Sequence, residues 1–413
     1  MGFFESTGTV RKGYFEGTHR TRSPRETFEA YAPLMPAMGI TRLANVTGLD
    51  RVGLPVYVAV RPNGRALSTS QGKGETNDAA KVSALMESIE TWHAEHIDLP
   101  ARYDSYARLK TQANVIDVSG LSIPLGATYD PARPCAWLEG HDLFSEEPTW
   151  LPYDTVSTNF VQQQGHQPSF LASTNGLSSG NHALEATIHG LCEVIERDAV
   201  TMWLRVTEEE RRSRHVDLST IVEPHLVDII NTLEEKGLVL GVWDITSDIG
   251  VPVYTCSIIE NPESAEWRPV PSFPGHGCHL KPEIALSRAI HEAIQGRLTA
   301  ISGSRDDMFP KDYVEVGNKD DHRRIISTLM EFPASRPFAK TLLPLSENFG
   351  GDLQTILGQL KLVGIESAVV VSLEHEEIGI PVVKVVVPHL EPFHTIYYKP
   401  GPRALDYKRS LAL

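Results

Sequence analysis

The chain has 413 residues, enough for two or three domains' worth of structure, and its 41% hydrophobic and 22% charged content excludes a disordered or fibrous protein. A net charge of −15 argues against an extended nucleic-acid surface, because phosphate binding relies on clustered lysine and arginine. Cys135, Cys192, Cys256 and Cys278 show no paired spacing and no stretch is apolar enough to span a bilayer, so a reduced, cytoplasmic protein without a membrane partner is expected.

Residues 1–38 read as an arm that contains arginine, is rich in Gly, Ser and Thr, and is weakly periodic. Gly2 and Ser6 satisfy the loose myristoylation pattern, which often arises by chance. Asn45-Val-Thr47 fits a glycosylation acceptor only in a secreted protein. A turn-to-strand pattern then recurs. Gly53-Leu-Pro-Val56, Gly250-Val-Pro-Val253 and Gly379-Ile-Pro-Val382 each feed a β-branched run, which is a strand signal. Before the second and third copies, 230–236 and 353–362 read as helices followed by the apolar runs 238–242 and 365–373. A duplicated α/β scaffold of helix–strand–turn–strand units is therefore expected, with a partial copy near the start. Longer helices are predicted over 77–95, 182–204 and 282–301, the last with Pro282 at its first turn and the middle one capped by the polar loop 173–181. The stretch 100–167 carries many turn residues and few strong periods.

The chemistry lies on those three helices. Ser83, Glu87 and Glu90 fall on one face of the first, and Arg288, Glu292 and Gln295 repeat that spacing on the third. On the middle helix Glu185, Glu193 and Glu196 share a face with Arg197 beside them, while Ser178 and Asn181 sit in the loop before it. These acids are embedded among apolar residues, as in Val82-Ser-Ala-Leu-Met-Glu87, and so point toward the interior. Burying several carboxylates together is costly without cations or donors, and hard divalent ions with oxygen ligands are the natural partner. Any one of these glutamates alone reads as an ordinary exposed acid on an amphipathic helix. Six on three helices favour a site.

Competing chemistries are weaker. No P-loop, zinc-protease motif or nucleophile elbow is present. Gln71-Gly-Lys-Gly74 is either a phosphate-approaching backbone or a plain loop. His276, Cys278 and His279 are close enough in sequence to name as a metal pocket, and Cys192 reads as core rather than nucleophile.

At these residues the sequence resembles the YcaO family of peptide amide activators over roughly residues 39–388, through Ser83 to Glu90, Ser178 to Glu185, Glu193-Val-Ile-Glu196-Arg197, Arg288 to Gln295 and the flanking Ser302 to Asp307. The resemblance implies a YcaO-like α/β (α+β) fold with a catalytic domain over 39–390, a tail over 391–413, and a site for ATP and Mg2+ lined by three helices. It implies that Glu87, Glu90, Glu185, Glu193, Glu196 and Glu292 bind magnesium. Ser83, Ser178, Asn181, Arg197, Arg288 and Gln295 would contact the nucleotide, with Arg197 and Arg288 on the phosphates and catalytic. The implied reaction is ATP-dependent O-phosphorylation of a backbone amide in a ribosomally made peptide, giving a thioamide or, with Cys, Ser or Thr as nucleophile, an azoline. The early segment 39–50, Gln71 to Gly74 and an ending without the Pro-rich tail of many azoline formers favour the thioamide and a TfuA-like or leader-binding partner. A homodimer and a non-catalytic nucleotide-binding scaffold remain alternatives to be tested.

Overall fold

The computed structural model describes residues 10–161, 168–305, 318–331, 334–339, 343–393 and 398–410. The expectations at Gly2 and Ser6, at Asp306 and Asp307 and at 411–413 lie outside them. After helix α1 (Pro24–Tyr31), strands β1 (Arg42–Asn45), β2 (Val56–Val60) and β3 (Thr69–Lys73) pair antiparallel in that order and lead into α2 (Asn77–Glu95). Next come β4 (Arg102–Asp104), the one-turn α3 (Tyr106–Leu109), β5 (Cys135–Asp142) and β6 (Pro148–Pro152). Strand β7 (Leu177–Ser179) runs into α4 (Ala183–Trp203). Beyond α5 (Glu208–Ser213) and β8 (Val216–Asp217), α6 (Pro224–Glu235) precedes β9 (Leu238–Asp244), β10 (Val253–Glu260) and β11 (Phe273–Cys278). These three strands form a second antiparallel set, which leads into α7 (Pro282–Ser302). The remaining elements are α8 (Lys319–Glu331), β12 (Arg336–Pro337), α9 (Phe349–Leu362), β13 (Val369–Ser372), β14 (Val382–Val386) and α10 (Pro402–Ser410).

The expected helix–strand–turn–strand units are present as α6–β9–β10 and α9–β13–β14. The larger repeat is three antiparallel strands followed by a long helix, and it occurs three times. In the third copy the chain returns late: β14 pairs with β13 on one side and with β7 on the other, Val382 opposite Ser179. That set continues through β5 and β4, with β6 also on β5, into a six-stranded sheet. The recurring Gly-x-Pro-Val strands β2, β10 and β14 are the middle strands of the three sets. Gly53, Gly250 and Gly379 before them have φ of 81°, 78° and 65°, a left-handed turn that glycine adopts without a Cβ clash.

The three helices share one register. Counted from Asn77, Ala183 and Pro282, the eleventh residues are Glu87, Glu193 and Glu292, and the fourteenth are Glu90, Glu196 and Gln295. The ninth residues, Leu85, Leu191 and Ile290, are fully buried in three hydrophobic clusters, one under each helix. Each such side chain contributes roughly 1.5–3 kcal/mol by leaving water. Small residues bring each helix close to its strand. Gly72 on β3 lies against the backbone of Ala84, and Gly277 on β11 against that of Ala285 and Ala289. In the third set the roles are exchanged: the strand carries Ser178 and the helix carries Gly190, whose hydrogen faces the Ser178 hydroxyl.

The stretch 100–167 supplies β4 to β6. Their short runs, with charged or polar residues interleaved, gave no clear period in the sequence.

Candidate active site

Shared register aims the eleventh and fourteenth residues of α2, α4 and α7 into one cavity of about 590 Å³. Of the residues expected from the sequence, Ser83, Glu87, Glu90, Asn181, Glu185, Glu193, Glu196, Arg197, Arg288, Glu292 and Gln295 line it. Ser178 does not. Its buried hydroxyl donates 2.8 Å to the Ala186 carbonyl, because its place on β7 is the strand–helix contact that glycine fills in the other two sets. Its neighbour Ser179 faces the cavity and donates from its N–H (2.8 Å) and hydroxyl (2.6 Å) to Glu90 Oε1.

Glu196 is buried, Glu90, Glu193 and Glu292 are half-buried, and Glu87 is open to the cavity. Burial pushes the Glu87 and Glu196 carboxyls up to about 7 and Glu90 to about 8, and raises Glu193. At Glu292 burial acts the same way, but Lys73 and Arg197 outweigh it and hold the carboxyl at about 2. Lys73 Nζ is 2.8 Å from Glu292 Oε2. Arg197 lies 3.9 Å from Glu193 and 3.7 Å from Glu196.

Sequence reasoning missed the arm's part in this site. Tyr14, Gly17, Thr18, Arg20 and Arg22 form a wall of the cavity. Arg20 donates to Glu185 Oε1 at 3.1 Å, and Thr21 donates from its N–H (2.8 Å) and hydroxyl (2.9 Å) to Glu185 Oε2. Glu185 thus ties the arm to α4 while its carboxylate still lines the cavity. His189, the seventh residue of α4, matches Ser83 and Arg288 in register and was not among the residues expected from the sequence. Its ring sits between Arg20 (3.3 Å) and Arg288 (2.7 Å), and burial, then those cations, push its pKa well below the ordinary value. A neutral imidazole occupies few guanidinium N–H groups, so both arginines keep donors for an anion.

Among the described residues, no group of three or more His, Cys, Asp or Glu side chains is arranged to hold a metal ion by itself. His276, Cys278 and His279 accordingly form no such centre: His276 lines the cavity, Cys278 is buried beside Cys192, and His279 packs edge-on against His19. The glutamate rings instead suit an ion that completes its shell with water and phosphate oxygens, as Mg2+ does. Burial that raises a carboxyl's pKa also increases what a cation gains by binding its charged form.

Known proteins place the chain in a family. Residues 71–391 match the family model described as YcaO cyclodehydratase, ATP- and Mg2+-binding. The chain is 33% identical over 381 residues to a protein encoded in the tfuA 3' region of Rhizobium leguminosarum bv. trifolii, covering 90% of this chain and 88% of that one. Its fold is similar to that of YcaO from Methanopyrus kandleri bound with AMPPCP and Mg2+ (TM-score 0.69, 22% identity, 92% of this chain and 94% of that one). It is also similar to a heterocyclase in complex with substrate and cofactor (TM-score 0.75, 23% identity), covering 93% of this chain but only 55% of the heterocyclase.

Proposed function

The chain belongs to the YcaO family, and on that premise we propose that its three-helix cavity binds ATP with Mg2+ and activates a backbone amide of a ribosomally made peptide, installing a thioamide. The observation that carries the reading is the pair of register-matched rings, Glu87, Glu193 and Glu292 over Glu90, Glu196 and Gln295, with Lys73, Arg197 and Arg288 among them. A scaffold that only kept the fold would have no use for raised, clustered carboxyls, since each opposes folding when ionised.

The residues fit the family's cofactors. Glu87, Glu90, Glu193, Glu196 and Glu292 would hold Mg2+, while Arg288, Arg20 and Arg197 supply N–H donors and Ser83 and Asn181 supply polar contacts for the nucleotide. Bound together, ATP and Mg2+ supply a phosphoryl group that turns an amide oxygen into a leaving group, with its charge screened by the metal. The protein's own residues position and balance charge. Lys73 keeps Glu292 ionised, Ser179 orients Glu90, and Arg197 offsets Glu193 and Glu196. Arginine donors already in place stabilise developing phosphate charge without reorganisation. The arm and α1 close one side, with Thr27 donating to Asn181 at 3.0 Å, and so limit water around the phosphates.

The thioamide product is favoured over an azoline by the similarity to the tfuA-region protein, and the same similarity supports a TfuA-like partner. Mass spectrometry of the cognate peptide after incubation with enzyme, Mg-ATP and sulfide tests this: replacement of oxygen by sulfur is expected, whereas loss of water means azoline formation. Glu87→Gln and Glu196→Gln should abolish ATP turnover with the fold intact, because Gln keeps the shape of the side chain and removes the charge a cation needs. Unchanged turnover in both refutes the site.

A further inference from the structure

Two side-chain amides line the cavity beside Glu87, whose carboxylate accepts from the Gln71 backbone. Gln71, on β3, is 5% exposed; Gln295 is the fourteenth residue of α7. Gln295 Nε2 donates to the Gln71 carbonyl at 3.4 Å, and the Thr299 hydroxyl contacts both Gln71 Oε1 and the Gln295 carbonyl. These bonds fix both amides and leave Gln71 Nε2 and Gln295 Oε1, a donor and an acceptor, buried without a partner. Both residues line the cavity. Buried polar atoms are nearly always paired, so the pair awaits a group offering one acceptor and one donor. Phosphate oxygens offer only acceptors and a metal ion offers no N–H. One residue of an extended peptide offers both on one side, as do water and a ribose hydroxyl.

Position separates this pair from the place of a nucleobase. Ser287, eight residues before Gln295 on α7 and hence about 12 Å along its axis, donates to Glu75 at 3.1 Å, and Glu75 lies against Gly17 of the arm. The arm end carries Tyr14, the only Phe, Tyr or Trp among the described residues lining the cavity, and an aromatic face is what a flat base packs on. Lys73 and Glu292 lie between the two ends.

We propose that Gln71 and Gln295 form a subsite for the backbone of one residue of the substrate peptide, Gln71 Nε2 donating to that residue's carbonyl oxygen and Gln295 Oε1 accepting from its N–H. The subsite rests on the amide-activation reading above, and it excludes proline or an N-methylated residue at the nitrogen it holds. Gln295 thereby leaves the set of nucleotide contacts expected from the family resemblance.

The full 15N-labelled chain tests it without nucleotide. The side-chain NH2 signals of Gln71 and Gln295 are assigned by their loss in Gln71→Leu and Gln295→Leu, then followed as N-acetylglycine methylamide, its fully N-methylated analogue, or adenosine is added. Saturable shifts of both signals with the methylamide are expected, about fivefold weaker binding in either variant or with the methylated analogue, and no shift with adenosine. Shifts with adenosine but not the methylamide, no shift with either, or equal affinity for the two amides overturns the subsite. Absence of Mg-AMPPCP binding in a separate titration would count against the ATP reading alone.

Discussion

Two serines one residue apart on β7 do different work. Ser179 faces the cavity and holds Glu90, while Ser178 faces its own helix. Ser178→Ala removes one buried hydrogen bond and should lower stability by about 1 kcal/mol, read by urea unfolding, with Mg-nucleotide affinity unchanged. A loss of affinity without a loss of stability would return Ser178 to the binding set. The glutamates make a second prediction. The Glu87 and Glu196 carboxyls keep their protons to about 7 and Glu90 to about 8 in the folded, metal-free protein, against an ordinary value of 4.5. Between those values the unfolded chain binds fewer protons, so the stability these carboxyls contribute falls as pH rises and is gone above the folded values. His276, lowered by burial to about 4, acts oppositely, but only below its ordinary 6.5. Melting temperature in EDTA should therefore drop from about pH 7 to about pH 8.5, and Mg2+ with a non-hydrolysable ATP analogue should raise it more at the higher pH, where the ligands are already deprotonated. An equal gain at both pH values contradicts a carboxylate-held ion.

At the scale of elements, the contact between third strand and helix sets where each glutamate ring points. Gly277→Ala would place a Cβ against the backbone of Ala285 and Ala289, neither of which can yield without shifting α7. A loss of roughly 1–3 kcal/mol is expected. The contrast is Gly358→Ala on α9, where the added Cβ meets nothing within 4 Å and helix propensity gains about 0.5–1 kcal/mol. Denaturant midpoints moving in opposite directions confirm both; a neutral Gly277→Ala refutes the close approach. Much of this level was legible in the sequence. The helices predicted over 77–95, 182–204 and 282–301 are Asn77–Glu95, Ala183–Trp203 and Pro282–Ser302, because apolar periodicity and N-terminal signals are local. The triple Ser83, Glu87, Glu90 and its repeat Arg288, Glu292, Gln295 were visible for the same reason. His189, Glu193 and Glu196 share the spacing, but on α4 Glu185 stood for the first member and drew attention from His189. The split third set was not legible, since nothing local to β7 announces that β14 will lie beside it.

For the molecule as a whole, the ends of the described chain hold the site together, and these long-range contacts have no local signature. At the C-terminal side Arg403 pairs with Asp198 on α4, and Tyr398, Gly401 and Ala404 all donate to Glu391. At the other end the arm is pinned by Lys12, whose Nζ lies 2.7 Å from Asp352 on α9 and 2.7 Å from the Ser346 carbonyl, with both charged side chains almost wholly buried. Burial pushes the Asp352 carboxyl up, and Lys12 opposes that shift. Removing one partner of a buried pair costs about 3–5 kcal/mol when the other must stay buried. Here the arm can peel away and let water reach Asp352, so the loss stays local. Lys12→Met should thus leave the global unfolding midpoint nearly unchanged while amide exchange quickens across 10–23, where Gly13 and Tyr14 donate to the Arg20 carbonyl at 2.8 and 2.9 Å. Because Arg20 and Arg22 leave the cavity with the arm, Mg-nucleotide affinity should fall by about tenfold or more, the equivalent of one charge-assisted hydrogen bond at roughly 1.5–3 kcal/mol. Exchange mass spectrometry and a nucleotide titration on the same variant separate the two steps. Unchanged exchange would mean Lys12 does not anchor the arm, and faster exchange with unchanged affinity would remove the arm from the binding site.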